Sequence, residues 1–484
     1  MRPCLDPTPS DKHERPSTAM SSTTRLRSAD RVLPHPPHRL PILGDVLDLH
    51  ITDSSQWGWR DAQRYGPIFE RRILGARVTY VSGPDLVEEV NDESTWAKFL
   101  GVPIRNLRSI AKDGLFTAHN SEPNWAKAHA ILGPAFTQAA MRGYHDIMVG
   151  TVRELVDSWQ TRPSGAWVEI PSDMNKLTLE IIGRTGFGYD FGSFTEPEAH
   201  PFVGQMSRAL AYVNRSAYSH PLVENTFYRQ ERAQHSRDLA AVQTLVDDVI
   251  AKRSAKPRPE ESDLLDRMLN TPDPETGQRL DPENIRNQIL TFLVAGHETS
   301  AGALAFALHF IATNPDVAAR ARAEVDTVWP VGDNISYEHI GKLRYLRRIL
   351  DETLRLWPVA PGYFRKAKAD TILGGQYPFQ KGEWVFVVLL QLHRDAEWGA
   401  DPEVFDPDRF LPERVRARRA DLYRPFGTGM RACIGRQFAQ HEILLTLATL
   451  LRNFEFEADP NYDLRVKEMI TLKPDGLRMR LHAR

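Results

Sequence analysis

The stretch that decides the fold and the chemistry reads Phe426-Gly427-Thr428-Gly429-Met430-Arg431-Ala432-Cys433-Ile434-Gly435. It places one cysteine after a glycine-rich turn and before an apolar helix that we predict to begin near Arg436. A helix N-terminus and turn N–H groups stabilise a thiolate, and glycines let the backbone fold tightly beneath a flat ligand. Phe426 can shield the sulfur from water, and Arg431 can pair with an anionic group. A shielded single thiolate suits haem iron; the competing interpretation is a buried structural cysteine.

A second motif interrupts the most apolar helix that the sequence predicts. That helix should begin after Asp281 and run without a breaker to Asn314, and its middle reads Ala295-Gly296-His297-Glu298-Thr299-Ser300. A mid-helix glycine loses about 1 kcal/mol relative to alanine, and the Thr299 hydroxyl can compete for the Ala295 carbonyl one turn back. We therefore predict a local bulge with room for O2.

The polar side chains of this motif suit proton delivery. We expect Thr299 to donate a hydrogen bond to bound O2, and Glu298 or ordered water to relay protons for its cleavage. The alternative is a polar stripe that contacts a neighbouring helix. His297 is expected to be structural.

A third motif combines one carboxylate with two arginines. Glu352 and Arg355 share a face of a helix that should end before Pro358, and Phe405-Asp406-Pro407-Asp408-Arg409-Phe410 supplies Arg409 some fifty residues later. On a surface this would be an ordinary ion pair. Buried under the cysteine loop, the network would fix geometry rather than add much stability.

Composition excludes several classes of protein. The chain has 484 residues with 61 Lys plus Arg against 63 Asp plus Glu, so no global field favours nucleic acid. Its only cysteines, Cys4 and Cys433, cannot form a disulfide framework, which fits a reducing cytoplasm. The N-terminus shows neither a signal sequence nor a run of about twenty apolar residues. We expect a cytoplasmic protein without a membrane span and without a nucleic-acid partner.

The chain divides into a leader and one folded unit. Residues 1–40 are rich in Pro, Ser, Thr and Arg and lack apolar periodicity, which predicts a disordered leader. Residues 41–484 contain no linker or repeat and should form a single domain. Helical patterns dominate its middle and strand-like runs lie near each end, so the fold class is mainly α with a small β lobe, that is α+β.

Taken in order along the chain, the motifs at Ala295–Thr299, Glu352–Arg355, Phe405–Phe410 and Phe426–Gly435 resemble those of the cytochromes P-450. The similarity extends from about Asp61 to the C-terminal end and is strongest to the haem domain of bacterial fatty-acid hydroxylases that are fused to a diflavin reductase. The resemblance implies a mostly helical triangular prism with a small β lobe. It also implies haem b with the Cys433 thiolate as axial ligand, and insertion of one oxygen atom of O2 into a lipophilic substrate.

The same resemblance assigns roles to further residues. The haem propionates should be held by Lys98, Trp125, His129 and Arg431. Other haem contacts are expected at Ala295, Phe426, Gly427, Cys433 and Gly435. The substrate pocket should be lined by Phe116, which stands above the haem, and by Tyr80, Ile104, Leu107, Ala295, Ala360 and Ile470.

Two departures from those relatives affect the expected partners. The chain ends at Arg484, soon after the last family-like segment, so we expect electrons from a separate ferredoxin or flavodoxin with its NAD(P)H reductase. Basic side chains that could dock an acidic carrier are Lys127, Arg347, Arg348 and Arg436.

The second departure concerns the substrate carboxylate, which the relatives anchor with an Arg and a Tyr on an early strand. Tyr80 matches, but Ala76 occupies the Arg position and Arg77 lies one place along. Strand alternation points Arg77 to the opposite face unless a bulge intervenes. The sequence therefore leaves the carboxylate anchor open.

We expect hydroxylation of a medium- or long-chain fatty acid near its tail. The main alternative is tailoring oxidation of a polyketide, terpenoid or peptide secondary metabolite. A non-catalytic haem sensor is disfavoured because it has no use for a proton relay through Glu298 and Thr299. Peroxide-driven oxidation is disfavoured because relatives that work that way lack the Glu-Thr pair.

Overall fold

The computed structural model describes residues 31–48, 53–196, 198–217, 228–256, 263–330 and 334–484. Its α-helices are α1 (Ser54–Tyr65), α2 (Pro84–Asn91), α3 (Val102–Asn106), α4 (Arg108–Ala111), α5 (Pro123–Leu132), α6 (Gln138–Gln160), α7 (Ile170–Phe187), α8 (Pro201–Ser216), α9 (Arg229–Ala255), α10 (Leu264–Asn270), α11 (Pro282–Thr313), α12 (Pro315–Val328), α13 (Tyr337–Ile340), α14 (Arg344–Leu356), α15 (Leu389–Leu392), α16 (Pro412–Ala417) and α17 (Arg436–Asn453). Its strands are β1 (Ile68–Ile73), β2 (Ala76–Val81), β3 (Trp96–Lys98), β4 (Trp167–Glu169), β5 (Gly362–Ala367), β6 (Thr371–Leu373), β7 (Tyr377–Phe379), β8 (Trp384–Val388), β9 (Phe454–Ala458), β10 (Val466–Glu468), β11 (Leu472–Pro474) and β12 (Arg478–Ala483).

Helix α11 forms the centre of the helical part, with the limits that the sequence predicts. The Asp281 side chain caps it by accepting a 2.8 Å hydrogen bond from the Asn284 N–H, and the helix ends at Thr313. Its 32 residues span about 48 Å. Among the described residues it is the one helix long and apolar enough to cross a membrane, but 72% of its most apolar window is buried within the protein. The apolar composition of α11 is therefore that of a core helix, which packs against α7 and the helices around it.

The strands form a small lobe beside the helices. The largest sheet has the order β1-β2-β8-β5-β3, in which β2 and β8 are parallel and the other pairs are antiparallel. Smaller sheets pair β4-β12-β9, β10-β11 and β6-β7. The expected class, mainly α with a small β lobe, is confirmed.

Part of the expected leader is packed on this lobe. Arg31 and Leu33 are buried, and the Arg31 guanidinium donates a 2.6 Å hydrogen bond to the Pro378 carbonyl. The Pro34 carbonyl accepts a 3.0 Å hydrogen bond from the Glu70 N–H. The prediction of disorder is therefore wrong for residues 31–40. Strands far along the chain supply hydrogen-bonding and packing partners, which the local composition does not reveal. The remainder of the expected leader, residues 1–30, lies outside the described residues.

Candidate active site

The cysteine loop is a tight turn closed by its own backbone. Gly427 and Gly429 adopt positive φ angles of 70° and 67°, where side chains are strained. The Cys433 N–H donates a 2.8 Å hydrogen bond to the Phe426 carbonyl. A Cβ added at Gly435 would lie 3.9 Å from the Cys433 sulfur, so the sulfur sits at the start of α17 as predicted.

The surroundings of Cys433 set the chemistry of its thiol. The side chain is exposed on one side, where a ligand can reach the sulfur, and protein encloses the rest. That burial raises the pKa of the Cys433 thiol, while the Gly435 N–H and the Arg436 cation favour the thiolate. A cation such as iron on the open side would complete the stabilisation of the thiolate.

Two cations that pair with no described carboxylate lie beside this loop. The Arg431 guanidinium stacks 4.0 Å from the Trp125 ring centroid, and the Trp125 and His129 rings are stacked at 5.0 Å. The Lys98 ammonium donates a hydrogen bond to the Phe116 carbonyl. Neither Lys98 nor Arg431 forms an ion pair with any carboxylate that the structure describes. The structure therefore brings together the four side chains that the sequence predicts to lie at one place.

The electrostatics of this cation pair favour an anionic ligand. Protein atoms surround the Lys98 ammonium although the side chain as a whole is half-exposed; this burial, aided by Arg431, lowers the pKa of Lys98 to about 7. Burial likewise lowers the pKa of Arg431 to about 10. Removing two cations from water raises the free energy of the folded protein unless an anion binds between them. The two propionates of a haem fit this requirement in charge and in donor chemistry.

Contacts connect the cysteine loop to the middle of α11. Arg431 donates hydrogen bonds to the carbonyls of Leu115 and Ala118, each at 3.3 Å. Phe116, between them, shares a small apolar cleft with residues of α4 and α11. The cleft is lined by Leu107, Ile110, Ala111, Phe116, Thr117, Thr291 and Val294. The Phe116 segment therefore contacts the cysteine loop on one side and α11 on the other.

Helix α11 is less buried at its central motif than in the turns on either side of it. Residues before and after the motif are buried, whereas Val294 to His297 and Thr299 are half-exposed. The Thr299 hydroxyl donates a 2.7 Å hydrogen bond to the Ala295 carbonyl, as predicted. The predicted bulge is absent, because α11 stays regular through the motif. Gly296 instead permits close packing: a Cβ there would lie 3.3 Å from Ile182 on α7.

The Glu298 side chain contacts β11 and the residue before it. It is buried, and its Oε2 accepts a 3.3 Å hydrogen bond from the Thr471 hydroxyl. Its Oε1 lies 3.6 Å from the Lys473 ammonium. The sequence did not predict Lys473 as a partner of Glu298, because the two residues are far apart along the chain. His297 bonds the Leu293 carbonyl through Nδ1, consistent with a structural role.

The Glu-Arg-Arg network forms as expected beneath the loop. Arg355 binds both oxygens of Glu352, at 2.6 and 2.7 Å, and Arg409 lies 3.6 Å from Glu352 Oε1. The Arg355 guanidinium also donates to the His393 carbonyl at 2.9 Å, and His393 Nε2 accepts the Arg424 N–H at 3.0 Å. Through His393 the network holds the chain two residues before the cysteine loop. This link was not predicted; burial and then Arg355 lower the pKa of His393 to about 3, so its ring is neutral.

The expected substrate residues are only partly brought together. Leu107 and Phe116 share the apolar cleft, and Ile104 is half-buried on α3 nearby. The segments that carry Ala360 and Ile470 are tied by a 2.8 Å hydrogen bond from the Leu472 N–H to the Val359 carbonyl, beside Gly302 of α11.

Tyr80 belongs to the sheet instead of the cleft. Its ring stacks on Phe69 with centroids 4.7 Å apart and meets Phe386 edge-on at 5.9 Å. Strands β1 and β2 pair without a bulge, so Arg77 lies on the face opposite Tyr80. Arg77 is held there by Glu70 at 3.2 Å and lies 4.0 Å from Glu383. The Arg77–Tyr80 pair that the sequence left open is therefore split between two faces.

Two of the four expected docking residues are already paired. Arg347 bonds Asp351 at 3.0 Å, and Arg348 bonds Asp408 at 2.8 Å. Arg436 is exposed with its guanidinium 5.6 Å from the Phe426 ring, and Lys127 is half-exposed. Fewer unpaired basic side chains are therefore available to dock an electron carrier than the sequence predicts.

Comparison with known proteins agrees with this geometry. The family model "Cytochrome P450" matches residues 34–480. The bifunctional cytochrome P450/NADPH–P450 reductase of Bacillus cereus is 45% identical over 422 residues, which are 87% of this chain and 39% of that protein. A corresponding protein of Bacillus subtilis is 42% identical over 443 residues, or 91% of this chain and 42% of that protein. The chain thus spans about two fifths of these curated relatives.

A solved structure extends the agreement to three dimensions. The crystal structure of a cytochrome P450 (CYP102L1) is 49% identical, with a TM-score of 0.87, and the match covers 94% of this chain and 100% of that one. The described thiolate loop, cation pair and α11 motif occupy the matched region. The chain belongs to the cytochrome P450 family, which binds haem b through a cysteine thiolate, here that of Cys433.

Proposed function

We propose that the protein is a monooxygenase that inserts one oxygen atom of O2 into a lipophilic substrate, with electrons from another protein. The observation that carries this proposal is the contact between the Cys433 loop and the segment of Phe116. Arg431 of the loop binds the Leu115 carbonyl, and the apolar cleft at Phe116 reaches Val294, directly before the polar motif of α11. When bound there, haem supplies the activation of O2, and its thiolate ligand favours cleavage of the O–O bond.

The chain's own residues bind and orient the reactants. The Cys433 sulfur would hold the iron, and Lys98 and Arg431 would pair with the propionates. The apolar Phe116 cleft would receive the reacting end of the substrate. Thr299 Oγ1 lies on the half-exposed part of α11, where it can exchange its bond to Ala295 for one to a ligand.

Protons would reach Thr299 from the Glu298 side of α11. The Glu298 carboxylate connects the helix interior to Thr471 and to Lys473, whose side chain is 22% exposed. This places a chain of polar groups between solvent and the motif. Proton transfer by positioned groups of this kind is what distinguishes a catalyst from a haem carrier.

The substrate that the cleft suits best is a medium- or long-chain fatty acid. Leu107, Phe116 and Val294 offer an apolar wall to an alkyl chain. A bulky secondary metabolite is the second candidate, because Arg77 is engaged by Glu70 and leaves β2 without a free carboxylate partner at the expected position.

A ligand titration tests the substrate class. Haem-loaded protein is titrated with dodecanoic and hexadecanoic acids and, separately, with a terpenoid and a macrocyclic lactone, while the haem spin-state spectrum is recorded. We expect a shift with the fatty acids, followed by hydroxylated product near the tail under turnover. A shift with the terpenoid or the macrocycle alone would transfer the assignment to the secondary-metabolite class.

The thiolate assignment has its own test. Cys433→Ala should abolish the thiolate-type absorption band of the reduced protein with carbon monoxide, because no other described cysteine is present to replace the ligand. Persistence of that band in the variant would remove Cys433 as the ligand and with it the proposed chemistry.

We propose a separate ferredoxin or flavodoxin, with its reductase, as the electron donor. The family match accounts for residues 34–480, so the donor's cofactor lies outside these residues. Purified haem-loaded chain should form product from O2 and NADPH when a ferredoxin and ferredoxin reductase, or a flavodoxin and flavodoxin reductase, are added. Equal product yield from hydrogen peroxide alone would contradict this route.

A further inference from the structure

A second cavity, of about 440 Å³, opens between α3–α4 and the pair α8 and α9. It is separate from the Phe116 cleft and shares no lining residue with it. Its polar lining consists of Arg105, Asn106, Ser109, Tyr212, Ser216 and His235. The Asn106 side-chain amide donates a 3.2 Å hydrogen bond to the Ser216 hydroxyl, which ties the α3 wall to the α8 wall.

The cavity carries positive charge that the described residues do not neutralise. Arg105 is exposed and makes no ion pair with any described carboxylate, and no acidic residue is among the described residues that line the cavity. Asp238, one turn from His235, is engaged by Arg208 at 2.6 and 2.9 Å. Arg215, over the Tyr212 ring, is paired with Glu231 at 2.7 Å. Arg105 is thus the charge in the lining that remains available to a ligand.

A buried ring nitrogen in the same lining lacks a partner. His235 is 8% exposed, and its Nδ1 makes no hydrogen bond within the described chain. The His235 ring is fixed by stacking on Tyr212, with centroids 4.3 Å apart. An unsatisfied buried polar atom is unusual and commonly marks a bound water or ligand.

One short helical segment separates this cavity from the Phe116 cleft. Arg105 and Ser109 line the cavity, whereas Leu107, between them, lines the cleft. The two spaces are therefore about one helix diameter apart, roughly 10 Å. A long alkyl chain exceeds that distance, so a fatty acid that runs from the cleft past α3 would bring its carboxylate within reach of Arg105. Arg77 on β2, the alternative anchor for a carboxylate, already forms an ion pair with Glu70.

We propose that this cavity binds the carboxylate of the substrate, with Arg105 as its charge partner and His235 as a hydrogen-bonding neighbour. The inference rests on the proposed fatty-acid hydroxylation and names where the acid end is held. It explains how a carboxylate can be anchored although β2 offers no free arginine where the relatives have one.

The experiment compares an acid with its uncharged analogue. Haem-loaded wild type, Arg105→Leu, Arg105→Lys and the matched control Arg77→Leu are titrated with hexadecanoic acid and 1-hexadecanol, and Kd is taken from the spin-state change. Arg105→Leu should raise Kd for the acid about tenfold and for the alcohol less than about twofold. Arg105→Lys should recover most of the acid affinity, and Arg77→Leu should leave the acid-to-alcohol ratio unchanged. The reduced carbon monoxide band and the Tm of each variant verify that it is folded.

The outcomes separate this inference from the proposed function. Wild type that binds neither fatty compound would refute the fatty-acid assignment and the inference with it. Wild type that binds the acid, with an unchanged acid-to-alcohol ratio in Arg105→Leu, would refute the inference alone. A selective loss of acid binding in Arg77→Leu would move the anchor to β2.

Discussion

The hydroxyl of Thr299 illustrates how one side chain can serve two bonds. In the described structure it donates to the Ala295 carbonyl, a bond that any buried helical threonine can make. Thr313 makes the same bond to His309, at 2.8 Å, near the end of the same helix. What differs is the surroundings, since Thr299 lies on the half-exposed middle of α11, whereas Thr313 is the last residue of the helix.

We expect Thr299→Ala to bind haem and substrate normally but to divert reducing equivalents into peroxide. The reason is that the variant lacks the hydroxyl that we propose as the proton donor to bound O2. Product and peroxide formed per NADPH measure the effect, which should be a severalfold loss of coupling. Thr313→Ala is the matched control and should keep wild-type coupling. Unchanged coupling in Thr299→Ala would take Thr299 out of the proton path.

The ion pair between Lys473 and Glu298 gives a second prediction at this scale. Lys473→Met leaves a buried carboxylate without its cation, so Glu298 should no longer be held against β11. We expect turnover to slow by about tenfold, with a larger solvent deuterium isotope effect and an unchanged substrate Kd. Lys467→Met, an exposed position on β10, is the control. A wild-type isotope effect in Lys473→Met would show that Lys473 has no part in proton supply.

At the scale of elements, the contact between α11 and α17 contains an unusual acid. Glu442 on α17 is fully buried, with Ser300 of α11 as its polar neighbour, and burial raises the pKa of Glu442 to about 8. Its carboxyl therefore keeps a proton at neutral pH in the folded protein, whereas in the unfolded chain it ionises near its ordinary value of 4.5. Folding thus binds a proton between these two pH values.

The sign of the resulting pH dependence follows from linkage. Because the folded state holds more protons than the unfolded state, this group lowers the free energy of unfolding progressively as pH rises from about 4.5 to 8. Glu442→Gln is neutral throughout and should be more stable than wild type at pH 8 by about 2 to 5 kcal/mol, with the difference vanishing near pH 4.5.

Thermal unfolding followed across this pH range tests the prediction. The control is Glu455→Gln on β9, an exposed carboxylate whose replacement should leave the pH slope of Tm unchanged. A slope in Glu442→Gln equal to that of wild type would mean that Glu442 is ionised in the folded protein.

At the scale of the whole molecule, the β lobe includes a segment that lies many residues before its first strand. Leu33 is 2% exposed and packs in the lobe's own hydrophobic cluster, while its neighbour Val32 is 87% exposed. Arg31 adds a guanidinium 4.0 Å from the Phe379 ring. The segment therefore belongs to the folded unit.

We expect Leu33→Ala to cost about 2 to 5 kcal/mol of stability, as for other buried leucines. Val32→Ala, one residue away, should change stability by less than about 0.5 kcal/mol. Urea unfolding of the two variants measures the difference. Equal, small effects would show that residues 31–33 contribute nothing to the lobe.

The sequence by itself determined the features that depend on local order along the chain. The limits of α11, the turn that presents Cys433, and the i,i+3 pair of Glu352 and Arg355 follow from caps, glycines and helical spacing, and the structure confirms them. The motifs' order also sufficed for the family. These properties need no knowledge of distant partners, because the atoms involved are within a turn or two of one another.

Only the tertiary structure decided which distant groups meet. It paired Glu298 with Lys473, engaged Arg77 with Glu70 and left Arg105 facing a cavity. It also kept α11 regular where a bulge was predicted, since the close approach of α7 at Gly296 favours an unbroken helix. Side-chain direction and long-range pairing depend on how elements pack, and packing is a property of the whole fold that spacing along the chain does not contain.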